Sequence, residues 1–302
     1  MEDRIRPPAC IFCNGQHFKI RFSVQDYLVR ECLHCRLVQT ASSSSKSEAH
    51  IDDVYDHAYF QRLVERKPQE LVFHQRTLAC IEQHKRSGTI LDVGIGIGIF
   101  MELAQERGWD VQGVDPSRAT CRYVRKRLQL PVHHGYLEAL DLPERSFDVL
   151  SMRHVLEHVS TPGTFIRACC RLLKEDGILC LTVPNFNGLH ARIEKERWFH
   201  LTLPYHVAHY TAKTLEMVLK HHGLKIVTRS TKDLSCSSYV VQIFNLFSKF
   251  FAAAPRDIYM SPQELDPSKD MMHWIVSKEV VFNKLMAKLG LGEELLIIAQ
   301  KH

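Results

Sequence analysis

Four cysteines near the start of the chain have the spacing of a metal site. Cys10 and Cys13 form one Cys-x-x-Cys pair, and Cys32 and Cys35 form a second pair after 18 intervening residues. Each pair turns tightly enough to place two thiolates side by side, so two pairs can supply the four ligands of a tetrahedral zinc ion. Four thiolates also close the coordination shell, which leaves no position for a reactive water. The spacing therefore predicts a structural Zn²⁺ ion.

The residues around these cysteines indicate how the site is built. Apolar side chains alternate from Phe18 to Val24 and again from Tyr27, which predicts a hairpin between the two pairs. About 40 residues bury too little core to fold alone, so a metal ion has a clear structural role. We expect a four-cysteine zinc-binding module over residues 1–45, a zinc ribbon that ends in the Ser-rich linker 41–47. The alternative is that the four thiols are free.

A glycine turn follows the next apolar strand. The strand Thr89–Val93 leads into Gly94, Gly96 and Gly98, and a second strand ends at Asp115. Strand, glycine turn, helix, strand and acid describe a βαβ unit that binds a nucleoside, with the acid on the ribose hydroxyls. Ile99 stands where a dinucleotide site needs a small residue. The carboxylate of Asp92 would repel a pyrophosphate and favour a cationic ligand such as S-adenosylmethionine.

Several motifs in order resemble one enzyme family. Residues 91–98 and 113–116 resemble the first two motifs of class I S-adenosylmethionine-dependent methyltransferases, and residues 146–158 and 172–185 resemble the branch that includes ubiquinone- and menaquinone-biosynthesis methyltransferases. The resemblance implies an α/β fold with a Rossmann-like seven-stranded sheet over residues 51–230, with the last strand at 293–299. Residues 231–292 then form a helical insertion, which we expect to be a cap over the acceptor or a homodimer surface.

The resemblance also implies which residues bind the cofactor. The turn would surround its methionine part, Asp115 its ribose, and residues 136–137 its adenine, while an aromatic residue near position 59 would cover it. The implied cofactor-binding residues are Asp92, Gly94, Gly96, Gly98, Asp115, Tyr136, Leu137, Met152 and Tyr59.

Two histidines and an acid follow the strand that begins at Phe147. If residues 154–158 are helical, His154 and His158 share one face with Glu157. His154 leaves the carboxyl end of a strand, where an imidazole suits a general base, and we predict that role for it. The zinc-protease pattern H-x-x-E-H also matches, but it would leave the glycine turn without a purpose. A related alternative comes from methyltransferases that hold a divalent metal with E-x-x-E-H and a later histidine.

That second metal site, which we do not favour from the sequence, would use Glu157 and His158 with His206 or His209. The segment around these later histidines is rich in aromatic residues and follows the fifth strand. Related methyltransferases carry a similar Pro-x-His-x-x-x-Tyr stretch there, and such residues suit a partly apolar or sugar-like acceptor. The predicted acceptor-binding residues are Trp198, Tyr205, His206, His209 and Tyr210.

Composition limits the remaining possibilities. The 302 residues include 39 Lys+Arg and 34 Asp+Glu, and this near balance favours a small-molecule acceptor over nucleic acid. The sequence has no run of apolar residues long enough for a membrane span and no secretory signal at Met1, and ten cysteines fit a reducing cytoplasmic location. The paired cysteines resemble those of sugar C-methyltransferases from antibiotic pathways. Two further alternatives are an RNA methyltransferase and a zinc-ribbon binding module that no longer catalyses.

Overall fold

The computed structural model describes residues 9–42, 67–232 and 286–301. The strands of these segments alternate with helices from residue 67 onward, as a βαβ chain requires. The strands are β1 (Phe18–Val24), β2 (Tyr27–Cys32), β3 (Val38–Ser42), β4 (Thr89–Val93), β5 (Asp110–Asp115), β6 (Val132–His134), β7 (Phe147–Arg153), β8 (Leu173–Pro184), β9 (Ala208–His209), β10 (Leu224–Lys232) and β11 (Glu294–Lys301).

Two of the helices begin at a residue that caps them. Thr211 caps the helix Ala212–His221 by accepting a hydrogen bond from the Thr214 backbone N–H. Ser117 caps another in the same way, accepting from Thr120 N at 3.2 Å. The helices are α1 (Lys67–Glu82), α2 (Ile99–Glu106), α3 (Arg118–Leu128), α4 (Pro162–Leu172), α5 (Leu189–Glu194) and α6 (Ala212–His221).

Seven strands form the main sheet, in the order β10-β11-β8-β7-β4-β5-β6. The strands from β8 to β6 are parallel, while β11 runs antiparallel between β8 and β10. Ile90, Leu91 and Val93 are all buried because β4 lies in the middle of the sheet with both faces covered. The predicted α/β class and seven-stranded Rossmann-like sheet are confirmed.

Residues 9–42, called the zinc segment here after the ion predicted for them, form three strands of a second sheet that the main domain completes. β1 and β2 are the predicted hairpin, and β3 follows antiparallel to β2. The fourth strand is β9, in which His209 pairs with Val38 and Ala208 pairs with Gln39. The boundary at residue 45 stays a prediction, but the segment does not stand apart from the rest of the chain.

The hydrophobic core also joins the zinc segment to the main domain. One buried cluster contains Cys10, Cys32 and Leu37 together with Leu156 and Tyr210 of the main domain. A second cluster covers the other face of the sheet, where α1, α2 and α3 pack. The thiolate site is therefore enclosed by main-domain side chains on one side.

Some predictions lie outside the described residues. Tyr59, most of the linker 41–47 and residues 233–285 of the predicted insertion belong to this group. Among the helices that the structure describes, none has the length and apolar character needed to cross a membrane.

Candidate cofactor and metal sites

A cavity of about 280 Å³ opens at the carboxyl ends of β4, β5 and β7. β4 has β5 on one side and β7 on the other, so the strand order reverses at this point. Open α/β sheets bind ligands at such a reversal, because the connecting loops diverge there and leave a crevice. Gly94, Gly96, Asp115, Tyr136 and Leu137 line the cavity. Five of the predicted cofactor residues therefore meet at one site.

The first glycine of the turn is required by its surroundings. Gly94 has a φ of +74°, a conformation that residues with a Cβ rarely adopt. A Cβ added at Gly94 would also overlap Cγ2 of Val155. Gly96, in contrast, has no heavy atom within 4 Å of the position of an added Cβ. The turn therefore brings its backbone against the cavity at Gly96 while Gly94 packs against the chain after β7.

Asp115 organises the turn as well as lining the cavity. Its Oδ2 accepts a hydrogen bond from Ile95 N at 3.1 Å, and its Oδ1 accepts one from Ser117 N at 2.9 Å. The carboxylate therefore joins the glycine turn to the start of α3. Its position on the cavity wall is compatible with the predicted ribose contact, which stays a prediction.

Asp92, which we predicted to contact the cofactor, lies outside the cavity. Its side chain is fully buried, it does not line the cavity, and its Oδ1 accepts a hydrogen bond from Arg153 at 2.6 Å. Burial raises the pKa of Asp92 to about 6, and the Arg153 charge opposes that rise. Arg153 lines the cavity and stacks 4.1 Å from the centre of the Phe100 ring. The ion pair with Arg153 compensates the charge of the Asp92 carboxylate. This pairing corrects our expectation that Asp92 itself attracts a cationic ligand.

Two further predicted cofactor residues lie away from the cavity. Met152 is fully buried within β7, and Gly98 begins α2 with a φ of +79°. A Cβ at Gly98 would lie 3.0 Å from side-chain atoms of Val124 and Leu128, so this glycine allows α2 and α3 to pack closely. Both residues serve the packing around the site in this structure.

Sequence reasoning missed the part of the cavity wall that α1 provides. Glu70, Phe73 and His74 of that helix line the cavity opposite the glycine turn. Glu70 and His74 are four residues apart, the spacing that puts two side chains on one helical face. That spacing was the available signal, although nothing local in the sequence shows that this face covers the sheet edge.

His154 lies between two carboxylates. Its Nδ1 is 3.1 Å from Oε1 of Glu157, and its Nε2 is 3.0 Å from Oε1 of Glu294. Burial lowers the pKa of His154, but the charges and hydrogen bonds of Glu294 and Glu157 outweigh burial and raise it well above its usual value. His154 also lines the cavity. The protonated ring, with both N–H groups engaged by carboxylates, has no lone pair to accept a proton, so this contact favours a role in holding the two acids. The general-base role of His154 stays a prediction.

The segment after His154 is not the α-helix that we considered. His154 has a φ of +54°, and only Leu156–His158 form a single 3₁₀ turn. His154 and His158 are therefore not stacked on one helical face. The turn instead directs Glu157 and His158 toward a histidine from a later part of the chain.

Glu157, His158 and His206 form a cluster with ligand atoms within 4.8 Å of one another. Nδ1 of His158 lies 3.0 Å from the Tyr205 carbonyl oxygen, and Nδ1 of His206 lies 2.7 Å from that of His200. A carbonyl only accepts, so each Nδ1 carries the hydrogen and each Nε2 keeps its lone pair. Metal-binding histidines are commonly held in this way.

The charges of this cluster also suit a divalent cation. Burial lowers the pKa of His206 to about 4, so this imidazole is neutral near pH 7. Burial raises the pKa of Glu157, but its histidine neighbours, His154 foremost, more than offset burial and bring it to about 2. Oε2 of Glu157 is buried without a hydrogen-bond partner, which is costly unless a cation completes the site. The residues present therefore fit a metal ion of the type that imidazole and carboxylate bind.

The predicted acceptor-binding residues are mostly interior. None of Trp198, Tyr205, His206, His209 and Tyr210 lines the cavity at the carboxyl ends of β4, β5 and β7, although Trp198 lines a separate, more open pocket beside β1 and β2.

Their hydrogen bonds explain these positions. Trp198 donates to Oε2 of Glu293 at 3.3 Å, and His209 contacts the Thr40 hydroxyl at 2.9 Å. Tyr210 is fully buried within the core that also holds the cysteines. The expectation of a direct acceptor contact is therefore corrected for these three residues, whose aromatic character serves packing.

The four cysteines meet as their spacing predicts. Their sulfur atoms lie within 4.8 Å of one another, and the closest pairs are Cys10–Cys35 at 3.5 Å and Cys13–Cys32 at 3.6 Å. Zn–S bonds of about 2.3 Å in a tetrahedron require sulfur separations of about 3.8 Å, so the geometry suits Zn²⁺.

The backbone around the cysteines is equally compact. Asn14 and Arg36 each follow the second cysteine of a pair and have φ values of +57° and +66°. A Cβ on Gly15 would lie 3.1 Å from Sγ of Cys32, so the first turn closes tightly around the thiolates. The two turns therefore have the same local shape.

The fold and the cavity define a nucleoside-binding α/β protein of the methyltransferase type. A family model described as a methyltransferase domain matches residues 55–229, which is more than half of the chain. The chain belongs to this methyltransferase domain family and to its class I S-adenosylmethionine-dependent group.

Similar proteins support the same class. Ubiquinone biosynthesis O-methyltransferase from Alkalilimnicola ehrlichii is 36% identical over 104 residues, which cover 32% of this chain and 42% of that protein. The enzyme of the same name from Pseudomonas paraeruginosa is 34% identical over 139 residues, covering 43% of this chain and 60% of that protein. The chain thus spans about half the length of these relatives.

Solved structures share the fold. A SAM dependent methyltransferase from Archaeoglobus fulgidus aligns with a TM-score of 0.54 and 21% identity, covering 82% of this chain and all of that one. A chain from the complex between the Haloferax volcanii Trm112 methyltransferase activator and the putative methyltransferase aligns with a TM-score of 0.57 and 15% identity, covering 84% and 98%. At this identity the likeness concerns the fold alone.

Proposed function

We propose that this chain transfers a methyl group from S-adenosylmethionine to an oxygen atom of a small-molecule acceptor. The observation that carries the proposal is the position of His158. It lines the cavity and also belongs to the Glu157–His158–His206 cluster. A cofactor in the cavity and an acceptor oxygen at the cluster would thus be neighbours.

The cavity wall supports a division of roles toward the cofactor. Gly96 and its turn would accommodate the methionine part, Asp115 the ribose, and Tyr136 and Leu137 the adenine. Tyr136 is 56% exposed and Leu137 is buried, so together they offer an open ring beside an apolar floor. S-adenosylmethionine supplies a methyl group on a positively charged sulfur.

The cluster supports oxygen as the methylated atom. A divalent ion held there would bind an acceptor hydroxyl and lower its pKa. Glu157 would contribute one negative charge, and Nε2 of His158 and of His206 would contribute lone pairs. The carbonyl oxygens of Tyr205 and His200 hold both imidazoles in that orientation. His154 would steady Glu157 through its hydrogen bond and take no proton itself.

The transfer then needs alignment more than acid–base catalysis. A lone pair of the acceptor oxygen attacks the methyl carbon, the C–O bond forms, and the C–S bond breaks with its electron pair left on sulfur. The hydroxyl proton passes to a water molecule of the solvent, and S-adenosylhomocysteine remains. Holding oxygen, methyl carbon and sulfur in line supplies most of the rate enhancement for such a displacement.

The acceptor class follows from the remaining wall. Phe73 and His74 offer flat rings, and Glu70 offers a carboxylate on the same side of the cavity. A hydroxylated ring of small size would suit these surfaces. The relatives named as ubiquinone biosynthesis O-methyltransferases favour the same choice of an O-methylated acceptor. A structural Zn²⁺ ion at the four cysteines completes the proposal.

The test uses the purified full chain with its zinc content measured. Calorimetric titration with S-adenosylmethionine tests the cofactor, and Mn²⁺ binding followed by electron paramagnetic resonance tests the cluster. S-adenosylhomocysteine formation from simple catechols tests transfer, with His206→Ala as the variant and His221→Ala as the control. A folded chain that binds no S-adenosylmethionine would overturn the whole proposal. Turnover that His206→Ala leaves unchanged would remove the metal from it.

The other functions considered have clear outcomes in the same test. A non-catalytic binding module would bind zinc and yield no S-adenosylhomocysteine with any acceptor. An RNA methyltransferase would yield it with RNA and not with catechols. A cytoplasmic location stays a prediction, and none of the nine cysteines that the structure describes forms a disulfide.

A further inference from the structure

The zinc segment contacts the short segment of residues 206–209, which includes His206. Thr40 lies in β3, and its hydroxyl donates a hydrogen bond to the His206 carbonyl oxygen at 2.8 Å. The same hydroxyl oxygen lies 2.9 Å from Nε2 of His209, which must then carry the hydrogen and donate. The backbone N–H of Thr40 donates to the Val207 carbonyl at 3.0 Å. Thr40 therefore forms hydrogen bonds with three residues of this segment.

The other side of the segment 206–209 contacts the Leu156–His158 turn. The backbone N–H of Val207 donates to the Glu157 carbonyl oxygen at 2.9 Å. Residues 206–209 therefore lie between β3 of the zinc segment and the turn that carries Glu157 and His158. All three members of the cluster depend on this arrangement for their spacing.

A buried glutamine links β3 to the thiolates. Gln39 is 1% exposed, and its Oε1 accepts a hydrogen bond from the backbone N–H of Ile11 at 3.1 Å. Its Nε2 donates to the Ala9 carbonyl at 3.4 Å. Ile11 lies between Cys10 and Cys13, and the backbone of Gln39 pairs with Ala208 of β9. Hydrogen bonds thus run without a break from the first cysteine turn to β9.

We infer that the zinc segment positions the Glu157–His158–His206 cluster, with Thr40 as the positioning residue. The inference rests on the proposed function, because it takes this cluster as a metal site. Zinc at the thiolates keeps β3 in place, β3 holds residues 206–209, and these residues hold His206 at its distance from Glu157. The four cysteines then support the methyl-transfer site indirectly, through these hydrogen bonds, although they lie outside its cavity.

The test compares two substitutions at Thr40 in the full, zinc-loaded chain. Thr40→Val keeps the shape and loses the hydroxyl, while Thr40→Ser keeps the hydroxyl. Thr228→Val is the matched control, because the Thr228 hydroxyl lies 2.8 Å from His84 in a distant part of the protein. Outer residues that orient metal ligands contribute about tenfold or more to affinity. We expect Mn²⁺ to bind about tenfold more weakly to Thr40→Val and normally to the other two variants.

Two further measurements exclude a general loss of folding. Zinc content and S-adenosylmethionine affinity should be the same in all three variants and in the parent chain. Cys13→Ser then tests the zinc ion itself by hydrogen exchange of the peptide spanning residues 203–210. Exchange in that peptide should accelerate at least tenfold when zinc is lost, while the peptide spanning 110–115 stays protected.

The outcomes separate the inference from the proposed function. Unchanged Mn²⁺ affinity in Thr40→Val, in a parent chain that binds Mn²⁺, would overturn the inference and leave the proposed function standing. A parent chain that binds no Mn²⁺ would contradict the metal site. Exchange would then decide the positioning alone, and full protection of residues 203–210 without zinc would overturn it.

Discussion

The Nε2 atom of His154 lies 3.0 Å from Oε1 of Glu294, although 140 positions separate the two residues. His154 follows the end of β7, and Glu294 begins β11. The last strand enters the sheet beside β8, and this placement brings its first carboxylate to His154, which lines the cavity. Glu157 contacts the other ring nitrogen, so the half-buried imidazole of His154 lies between two acids. A protonated His154 would hold these two carboxylates in place.

The first prediction concerns the titration of His154. We expect its imidazole to remain protonated well above pH 6.5, because the carboxylates of Glu294 and Glu157 raise its pKa. Glu294→Gln removes one charge and should lower that pKa measurably. Nuclear magnetic resonance of labelled histidines would show both effects. Glu293→Gln is the control, since its carboxylate lies 3.0 Å from His190. A midpoint near 6.5 that Glu294→Gln leaves unchanged would contradict the prediction.

The second prediction concerns the glycine turn. Gly94→Ala should lower S-adenosylmethionine affinity at least tenfold, because the added Cβ would overlap Val155 and displace the turn. Gly108→Ala is a matched control, since Gly108 also has a positive φ, of +84°, but nothing within 4 Å of an added Cβ. Both variants should lose about 1 kcal/mol of stability from the backbone alone. Calorimetric titration would distinguish them, and Val155→Ala should partly rescue Gly94→Ala.

The third prediction concerns Asp115. Asp115→Asn places an NH₂ group against a backbone N–H, because each carboxylate oxygen accepts from Ile95 N or Ser117 N. Leaving one of these donors unsatisfied should reduce the free energy of unfolding by about 1–3 kcal/mol. We also expect S-adenosylmethionine affinity to fall about tenfold. Asp110→Asn, at the exposed start of the same strand, should change neither chemical denaturation nor cofactor affinity.

The fourth prediction concerns zinc. Metal analysis should find one Zn²⁺ per chain, and Gly15→Ala should release it faster to a coloured chelator. The reason is steric, because a Cβ at Gly15 would lie 3.1 Å from Sγ of Cys32 and 3.3 Å from Sγ of Cys13. Gly163→Ala provides the control, since its Cβ would make only an ordinary contact of 3.7 Å with His222. Equal release rates in the two variants would argue against a site closed around the thiolates.

The fifth prediction concerns stability at mildly acidic pH. Burial lowers the pKa of His209 to about 3, so the unfolded chain takes up a proton below about pH 6.5 that the folded chain does not. The free energy of unfolding should therefore fall as pH drops from 7 to 5.5, by about 1 kcal/mol for this one residue. His209→Gln should reduce that slope by about one proton. Urea denaturation at several pH values measures it, and an unchanged slope would refute the assignment.

Local signals in the sequence were enough for the first strand of the βαβ unit and for the four-cysteine cluster. The strand Thr89–Val93 has the bounds that its apolar pattern indicates. The cysteine spacing and the glycine turn are also local, because their geometry depends on neighbouring residues and on backbone sterics.

The tertiary structure alone decided which side chains act together. Arg153 neutralises Asp92, Glu294 engages His154, and β3 pairs with β9, and each contact joins residues that are at least 61 positions apart. Such contacts depend on how strands are ordered in the sheets and on which groups lose water, and neither is written in a local pattern. These contacts placed the ring of His154 between two carboxylates, which raise its pKa. They also brought the zinc segment beside the residues that we propose bind the second metal.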